Sequence, residues 1–265
     1  FYKISLNQIN QVDKIIKKNK ISYVIHLAAQ AGVRYSITNP GTYFENNIEG
    51  FFNIIEICRK NKIKHLIFAS TSSVYGDNKN FPLKESFSTD KPQSFYAATK
   101  KTNEVMAYSY SNIYKLPTTA LRFFTVYGPY GRPDMSLYKF TNNIVNNKKI
   151  LLYNKGNHER DFTYIEDIIC GIESIIKKPS SKKIPYNCFN IGSGKNEKLI
   201  NFVKNIEMNL QLKSKSKKLP LQVGDIIKTH SDISLLKKYS GYKPMTNIKM
   251  GIKRFIQWYK EYYKI

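Results

Sequence analysis

Two side chains with a spacing suited to proton transfer, Tyr96 and Lys100, lie four positions apart in this sequence. On a helix, residues with this spacing share one face. An ammonium group beside a phenol favours the phenolate and so lowers the pKa of the tyrosine. A tyrosine that titrates nearer neutrality can act as a general base toward a sugar or alcohol hydroxyl. Because Tyr and Lys are abundant here, the pair alone is more readily explained as a chance occurrence on a solvated helix.

The segments around this pair alternate between strand and helix patterns. The spacing of apolar residues predicts helices over Gln8–Asn19, Asn46–Asn61 and Phe95–Tyr114, and strands over Tyr23–Leu27, His65–Ala69 and Thr118–Phe124. This order predicts a parallel sheet with helices on both faces. Ligands bind such sheets beyond the carboxyl ends of the strands. The small or hydroxyl-bearing residues expected at those ends are Ala28, Ala29, Ser70 to Ser73 and Thr125.

After Gly128 and Pro129 the predicted elements become shorter. The patterns predict helices over Ser136–Asn147, Glu166–Lys177 and Met250–Tyr263, strands over Ile150–Tyr153 and Asn187–Ile191, and an exposed loop over Ser180–Lys183. We therefore predict a sheet-containing region over residues 1–127 and a smaller α/β capping region over residues 128–265, with some segments of the second returning to the first.

The net charge of +24 admits nucleic-acid binding as one interpretation. Only six of the 43 basic residues are arginine, however, and the lysines are spread along the whole chain. Proteins that read nucleic acids depend on arginine for bidentate base contacts, so we favour a generally lysine-rich composition and predict no nucleic-acid partner. Where lysine dominates so strongly, each arginine that is present suggests a need for planar, bidentate hydrogen bonding.

The cysteines and histidines indicate neither a disulfide framework nor a metal site. Cys58, Cys170 and Cys188 are odd in number and widely separated, which fits a reducing cytoplasm. The four histidines lack metal-ligand spacing, and His26 at a strand end is expected to be structural. No apolar run is long enough to cross a membrane and no leader is visible, so we expect a cytoplasmic protein with no membrane partner.

Several longer strings together resemble the extended short-chain dehydrogenase/reductase superfamily, and within it the nucleotide-sugar epimerases. The closest group is the UDP-glucuronate 4-epimerases. The strings that carry the resemblance are His26–Ser36, Ser70–Gly76, Tyr96–Lys101, Leu121–Pro129, Gly131–Met135 and Arg160–Ile165. The resemblance covers nearly the whole chain and implies a Rossmann-like NAD-binding domain followed by a nucleotide-sugar-binding region.

By this resemblance Thr71, Tyr96 and Lys100 are the catalytic residues of an NAD-dependent isomerase. Tyr96 takes the proton from the sugar 4-hydroxyl, Thr71 hydrogen-bonds the same oxygen, and Lys100 lowers the pKa of Tyr96. NAD accepts the hydride and returns it to the other face of a transient 4-keto sugar. The implied cofactor-binding residues are Leu27, Ala28, Ala29, Asn47, Ser70, Tyr96 and Lys100. The implied substrate-binding residues are Arg34, Ser72, Ser73, Thr125, Arg132 and Arg160.

Two serines distinguish this reaction from those of related enzymes. Nucleotide-sugar 4,6-dehydratases carry an Asp-Glu pair after the threonine because elimination needs a further acid and base, and uronate decarboxylases usually keep the second acid. Here Ser72 and Ser73 stand in those places. The 4-epimerisation of UDP-glucuronate is therefore the expected reaction, with a dehydratase or a decarboxylase as the alternative. A plain polar turn after a strand is the structural alternative for the whole hydroxyl run.

Some of the implied binding roles have structural alternatives. Arg160 resembles the arginine that binds the diphosphate, but it is also explained as a surface arginine. Asn47 resembles an asparagine near the nicotinamide, but it also suits a helix N-cap. Asp167 is expected to cap a helix or to orient Arg160.

The glycine-rich turn that receives the NAD pyrophosphate in this superfamily is not present in the sequence. By the resemblance it lies before Phe1, so the expected sheet is partial and lacks its first β-α-β unit. Either the chain is part of a longer gene product, which we favour because Phe1 is not an initiator, or it is a truncated, non-catalytic binding protein. A homodimer formed through the helices at Asn46–Lys60 and Phe95–Tyr114 is expected by the same resemblance.

Overall fold

The computed structural model describes residues 1–222 and 224–265, which form two compact units. Unit 1 comprises Phe1–Lys79, Lys84–Phe123 and Ile172–Asn190, and unit 2 comprises Asn80–Leu83, Phe124–Gly171 and Ile191–Ile265. None of the helices within this described part of the chain is both long and apolar enough to cross a membrane.

Unit 1 is built on a four-stranded sheet in the order β1-β2-β3-β8, in which β1 pairs with β2 and β2 with β3 in parallel. This confirms the predicted parallel α/β fold. The elements up to the third strand are α1 (Ile9–Lys18), β1 (Tyr23–His26), α2 (Tyr35–Thr38), α3 (Pro40–Tyr43), a π-helix (Phe44–Glu49), α4 (Gly50–Lys60), β2 (His65–Thr71), a 3-10 helix (Ser72–Tyr75), α5 (Phe95–Tyr114) and β3 (Thr118–Phe123).

Unit 2 and the segments that lead back to the sheet contain shorter strands. The elements are β4 (Thr125–Tyr127), α6 (Ser136–Val145), β5 (Lys149–Leu152), a 3-10 helix (Tyr153–Gly156), β6 (Glu159–Arg160), β7 (Phe162–Tyr164), α7 (Ile165–Ile176), β8 (Tyr186–Ile191), β9 (Glu197–Lys198), α8 (Leu199–Leu210), β10 (Lys215–Lys218), α9 (Ser234–Ser240) and α10 (Ile248–Tyr263). Strands β4 and β7 pair in parallel, β5 pairs in parallel with β10, and β6 pairs antiparallel with β9.

Each unit has its own apolar core. In unit 1 the buried side chains of α4 pack with those of β2 and α5, and the Phe51 and Phe68 rings lie 4.9 Å apart. In unit 2 aromatic side chains dominate, and the Phe162 and Phe202 rings stack at 4.1 Å. Burial of rings of this size supplies most of the favourable free energy of such cores.

The structure corrects the predicted bounds at three places. Strand β2 continues through Ser70 and Thr71, because both residues pair with β3. The helix predicted from Asn46 begins instead as a π-helix, and Asn47 lies within it rather than at an N-cap. In the predicted exposed loop Ser180–Lys183, Ser180 is buried. The pairing with β3 explains the longer strand, and hydrogen bonds to Gln30 and Thr99 fix Asn47 within its helix.

Gly76 ends the turn that follows β2 and has a φ of +60°. A Cβ atom at this position would lie 2.6 Å from the Lys91 carbonyl oxygen, so a side chain would meet fixed backbone as well as a disfavoured conformation. We expect Gly76→Ala to lower the free energy of unfolding by about 2 kcal/mol in denaturant titrations.

Gly41 is the matched control for this substitution, because it lies in helix α3 and a Cβ atom there would meet nothing within 4 Å. Gly41→Ala should be neutral or stabilising by up to about 1 kcal/mol. Equal effects of the two substitutions would contradict the assigned role of Gly76.

Candidate active site

Thr71 lies where strand β2 turns into the Ser72–Tyr75 helix. Its backbone is extended, and its Oγ1 accepts a hydrogen bond of 3.2 Å from the Ser73 amide, which caps the short helix. Thr71 is buried, whereas Ser72 and Ser73 are half-buried. The cap therefore holds the threonine hydroxyl at the strand end and leaves the two serines partly accessible to solvent.

Helix α5 carries Tyr96 and Lys100 in its first turns. Ser94 caps this helix by accepting a hydrogen bond of 3.1 Å from the Ala97 amide. Lys100 is buried and its Nζ donates to the Ala69 carbonyl oxygen at 2.9 Å. The helix is thereby bonded to β2 two residues before Thr71, so the predicted catalytic lysine also joins the two elements that carry Thr71 and Tyr96.

Burial lowers the pKa of Lys100 to about 8. The amine is therefore mainly charged at neutral pH, in a position removed from water. His26, at the end of β1, is also buried, and burial together with the Lys100 charge lowers its pKa to about 3. His26 is thus neutral at physiological pH and does not exchange protons there, which leaves Tyr96 and Lys100 as the candidates for that role.

Asn47 connects the segment after β1 to helix α5. Its Oδ1 accepts from the Gln30 amide at 2.7 Å, and its Nδ2 donates to the Gln30 carbonyl and to Thr99 Oγ1, each at 3.0 Å. Thr99 in turn donates to the Tyr96 carbonyl at 2.8 Å. Asn47 therefore fixes the position of both the post-strand segment and the start of the helix.

Tyr43 was not singled out by the sequence analysis, yet it packs against Tyr96. The two rings meet edge to face at 6.1 Å. Tyr43 is fully buried, and its hydroxyl donates to the Ala31 and Gly32 carbonyls at 3.1 and 2.5 Å. The ring thereby connects Tyr96 with the chain that follows β1. Nothing local distinguishes Tyr43 from the other 19 tyrosines, so only the fold reveals it.

The remaining residues predicted to bind cofactor lie at two strand ends of unit 1. Leu27, Ala28 and Ala29 follow β1 and are exposed. Ser70 lies inside β2, is buried, and donates its hydroxyl to Glu104 at 2.6 Å. The structure therefore exposes Leu27 and two small alanine side chains after β1. The Ser70 hydroxyl, in contrast, is bonded to a buried side chain.

The predicted substrate-binding residues are divided between the units. Arg34, which is exposed, lies with Ser72 and Ser73 in unit 1, whereas Thr125, Arg132 and Arg160 lie in unit 2. Thr125 and Arg132 line one cavity of unit 2 together with aromatic side chains that include Phe162. The Arg132 guanidinium forms a bidentate pair with Asp134, with its Nε 2.9 Å from Asp134 Oδ1.

Arg160 donates to backbone carbonyls of unit 2, among them Ile227 O at 2.8 Å. Asp167 does not orient it, which corrects the predicted role, because both carboxylate oxygens of Asp167 accept backbone amides of Met245 and Thr246 at 2.9 and 3.0 Å. These amides belong to the chain leading into α10, a partner that the sequence position of Asp167 does not reveal.

Asp161, next to Arg160, is the buried acid that organises this part of unit 2. Its carboxylate accepts from the Ser193 amide at 2.8 Å and hydroxyl at 2.7 Å, and from the amides of Gly194 at 3.2 Å and Ser231 at 3.1 Å. Asp161 thus holds two loops beside the strand pair that carries Arg160.

Unit 1 therefore combines, within bonded elements, a threonine hydroxyl, a tyrosine and a buried ammonium group. Such a set can move a proton between a substrate hydroxyl and a phenol. Among the described residues there is no group of three or more His, Cys, Asp or Glu side chains that could hold a metal ion.

The family model for the NAD dependent epimerase/dehydratase family matches residues 1–192. The chain belongs to this family, which confirms the resemblance seen in the sequence. An isomerase that uses NAD, as the sequence predicted, is thereby supported as well.

Three similar proteins have named functions. A probable UDP-glucuronate 4-epimerase of Rhizobium meliloti is 40% identical over 268 residues, covering 96% of this chain and 79% of the relative. The structure of a Methanobrevibacter ruminantium UDP-N-acetylglucosamine 4-epimerase with UDP-N-acetylmuramic acid has a TM-score of 0.90 and 31% identity, covering 98% of this chain and 83% of that one. The structure of a Bacillus cereus UDP-glucuronic acid 4-epimerase with UDP-glucuronic acid and NAD has a TM-score of 0.88 and 30% identity, covering 95% and 79%.

The buried Lys100 ammonium should reduce the stability of the protein. Its pKa falls from the ordinary 10.5 to about 8, which corresponds to an upper bound of about 3 kcal/mol. We expect Lys100→Met to raise the free energy of unfolding at pH 7 by about 2 kcal/mol in urea titrations.

The unfolded chain binds more protons than the folded one between pH 8 and 10.5, so wild-type stability rises with pH there and the advantage of Lys100→Met should shrink. Lys101→Met is the control, because this half-buried neighbour bonds Thr89, and no gain is expected from it. A loss of stability in Lys100→Met would contradict the assigned cost of burial.

Proposed function

We propose that this protein interconverts UDP-glucuronate and UDP-galacturonate by NAD-dependent epimerisation at C4 of the sugar. The observation that carries the proposal is the bond from Lys100 to Ala69, which joins the helix of Tyr96 to the strand that ends at Thr71. Membership of the NAD dependent epimerase/dehydratase family supports the cofactor and the reaction class. The similarity to UDP-glucuronate 4-epimerases over nearly the whole chain supports the sugar.

The roles proposed for the side chains are those that the family resemblance implies, and the environment of Lys100 supports them. Tyr96 accepts the proton of the sugar 4-hydroxyl, and Thr71 hydrogen-bonds the same oxygen. The Lys100 ammonium is proposed to stabilise the phenolate of Tyr96, since an opposite charge favours the ionised form of a phenol. Because the Lys100 amine is buried and fixed at Ala69, its charge needs no reorganisation during the reaction.

The residues present fit the nicotinamide end of NAD. Leu27, Ala28 and Ala29 are exposed at the end of β1 and, apart from the leucine, have small side chains that allow a ring to approach the backbone. Asn47 contributes by holding Gln30 in place. When bound, NAD would take the hydride from C4 of the sugar and return it to the opposite face.

The substrate is proposed to be held by hydroxyl groups and arginines. Within unit 1, the half-buried Ser72 and Ser73 supply donors for a sugar carboxylate, which needs hydrogen bonds when it leaves water. Arg34, Arg132 and Arg160 supply positive charge, and Arg160 is proposed for the diphosphate because a guanidinium matches phosphate oxygens.

Dehydration and decarboxylation are less well supported alternatives. Both need an acid after Thr71, where this chain has Ser72 and Ser73. The buried Glu104 does not replace that acid, because its carboxylate is already bonded by Arg122 and Ser70. Sugar oxidation and reduction at C4 without elimination is therefore the favoured chemistry.

To test the function, the purified protein expressed from its whole gene is incubated with NAD and, separately, with UDP-glucuronate, UDP-glucose and UDP-N-acetylglucosamine. We expect UDP-glucuronate to be converted most efficiently and to give UDP-galacturonate, resolved by anion-exchange chromatography and NMR. Tyr96→Phe should lower kcat by about 1000-fold or more while nucleotide-sugar binding persists, because only the base is removed.

Tyr108→Phe serves as the control for that substitution, since Tyr108 is half-exposed on the same helix and packs on Tyr186. A 4-keto-6-deoxy product or release of carbon dioxide would replace the epimerase with a dehydratase or a decarboxylase. Undiminished turnover in Tyr96→Phe would exclude Tyr96 as the base.

We also propose a homodimer formed through helices α4 and α5. Large apolar side chains on these helices are exposed, including Phe52 at 45%, Val105 at 56% and Ile113 at 62%. Several large apolar side chains exposed on two helices that pack together favour an interface.

We expect analytical ultracentrifugation to show a dimer. Val105→Asp should raise the dimer dissociation constant by about 100-fold, because it would bury a charge without a partner. Met208→Asp, at an exposed position of α8, should leave the dimer intact. A monomeric wild-type protein would refute the proposal.

A further inference from the structure

A buried ion pair in unit 1 is not used by the chemistry described so far. Arg122 of β3 donates two hydrogen bonds to Glu104 of α5, from Nε to Oε1 at 2.9 Å and from Nη2 to Oε2 at 2.8 Å. Both side chains are almost completely buried, at 5% and 3% exposed. Charges at such depth are tolerated only when they are paired and further hydrogen-bonded.

Two further side chains attach to this pair, and they lie on either side of Thr71 in the sequence. Ser70, directly before Thr71, donates to Glu104 Oε1 at 2.6 Å. Tyr75, the last residue of the turn that Thr71 caps, accepts from Arg122 Nη1 at 3.0 Å. The guanidinium carbon also lies 4.9 Å from the centre of the Tyr75 ring.

Tyr75 is in turn fixed from a third direction. Burial raises its pKa, so the phenol keeps its proton and donates it to Asn190 Oδ1 at 2.6 Å. Asn190 is fully buried in β8, and its backbone amide donates to Glu85 Oε1 at 2.7 Å. The turn after Thr71 is thus tied to β3 and β8 through one phenol.

The helix is tied to the same strand end at two successive turns. Lys100 bonds Ala69, and Glu104, one turn further along α5, bonds Ser70. Because residues four apart share a helix face, Tyr96, Lys100 and Glu104 follow one another along the side of α5 that faces β2.

We propose that Glu104, Arg122, Ser70 and Tyr75 form a positioning network that sets the placement of Thr71 relative to Tyr96 and Lys100. The network does not touch the substrate; it acts through the strand end and the turn. The inference rests on the proposed function, because Thr71 and Tyr96 must be the reacting groups for their relative placement to affect catalysis. A displacement of about 1 Å in reacting groups can cost about 100-fold in rate.

The test uses conservative substitutions at the two ends of the network, since removing Glu104 or Arg122 would leave a buried unpaired charge and risk unfolding. Tyr75→Phe removes one hydroxyl and keeps the ring, and Ser70→Ala removes the other link. The matched controls are Tyr110→Phe and Ser111→Ala. Tyr110 and Ser111 lie further along α5 and bond Glu56 at 2.7 Å and Leu116 at 2.8 Å, away from Thr71.

We expect Tyr75→Phe and Ser70→Ala each to lower kcat by about 10-fold or more, with KM for the UDP-sugar changed by less than about twofold, because ground-state binding is untouched. The double variant should lose less than the product of the single effects, since both act through one ion pair. The controls should retain the wild-type kcat at matched thermal stability. A kcat unchanged relative to the controls, or a change confined to KM, would overturn the inference.

Amide hydrogen exchange gives a readout that does not depend on turnover. The Ser73 amide, bonded to Thr71 Oγ1, should exchange faster in Tyr75→Phe and Ser70→Ala than in either control. If the wild-type protein converted no UDP-sugar, the proposed function would fail. Amide hydrogen exchange alone would then decide whether the positioning network holds the turn after Thr71. If the wild-type protein is active and Tyr96→Phe is not, but exchange at residues 71–76 is unchanged in both network variants, only the network is refuted.

Discussion

The positive charge of the buried Lys100 amine is the constraint on which the local structure of the candidate active site depends. Removing an ammonium group from water costs several kcal/mol unless acceptors replace the solvent. The Ala69 carbonyl oxygen is such an acceptor, and it is available only if α5 runs along the end of β2. The Ser94 cap, which sets where α5 begins, and the pairing that carries β2 to Thr71 both serve this one bond. The lowered pKa of Lys100 shows that the compensation is incomplete, as is common where a group is kept for chemistry rather than for stability.

The sequence predicts the elements of unit 1 well because their periodicity is long and regular. Helix α5 has the predicted bounds, Phe95–Tyr114, and the three predicted strands differ from the observed ones by only a few residues at their ends. Local pattern does not report contacts between distant positions. Ser70 and Glu104 are 34 positions apart, and Tyr75 and Asn190 are 115 apart. Their bonds arise only when strands and helices are in register, so the network around Thr71 could not be read from motifs.

Only six arginines are present, and several of them form bidentate ion pairs. The expectation that a retained arginine serves bidentate hydrogen bonding holds for Arg122 with Glu104, for Arg59 with Glu56 and for Arg132 with Asp134. Motif resemblance directed attention to Arg160 instead. Within unit 2 the Arg160 side chain donates to backbone carbonyls. The neighbouring Asp161 accepts hydrogen bonds from the amides of Ser193 and Ser231 and so holds two loops. Composition indicates that arginines matter in this chain. Only the structure shows that Arg122 is the buried one, paired with Glu104 in unit 1.

Two of the buried acids, Glu104 and Asp161, are bonded to donors of their own unit, and Ser72 and Ser73 stand where an enzyme that eliminates water needs an acid. In unit 1 the Glu104 carboxylate is bonded by a guanidinium and a hydroxyl, and in unit 2 the Asp161 carboxylate is bonded by amides and hydroxyls. A carboxylate whose lone pairs are occupied in this way is held in place by its hydrogen-bond donors. Within unit 1, the proposed proton transfer therefore uses the phenol of Tyr96 rather than the Glu104 carboxylate. An elimination needs a second, independent acid, and the serines after Thr71 do not supply one. The proposed epimerisation needs no such acid, because the hydride removed from C4 of the sugar is returned to the same carbon.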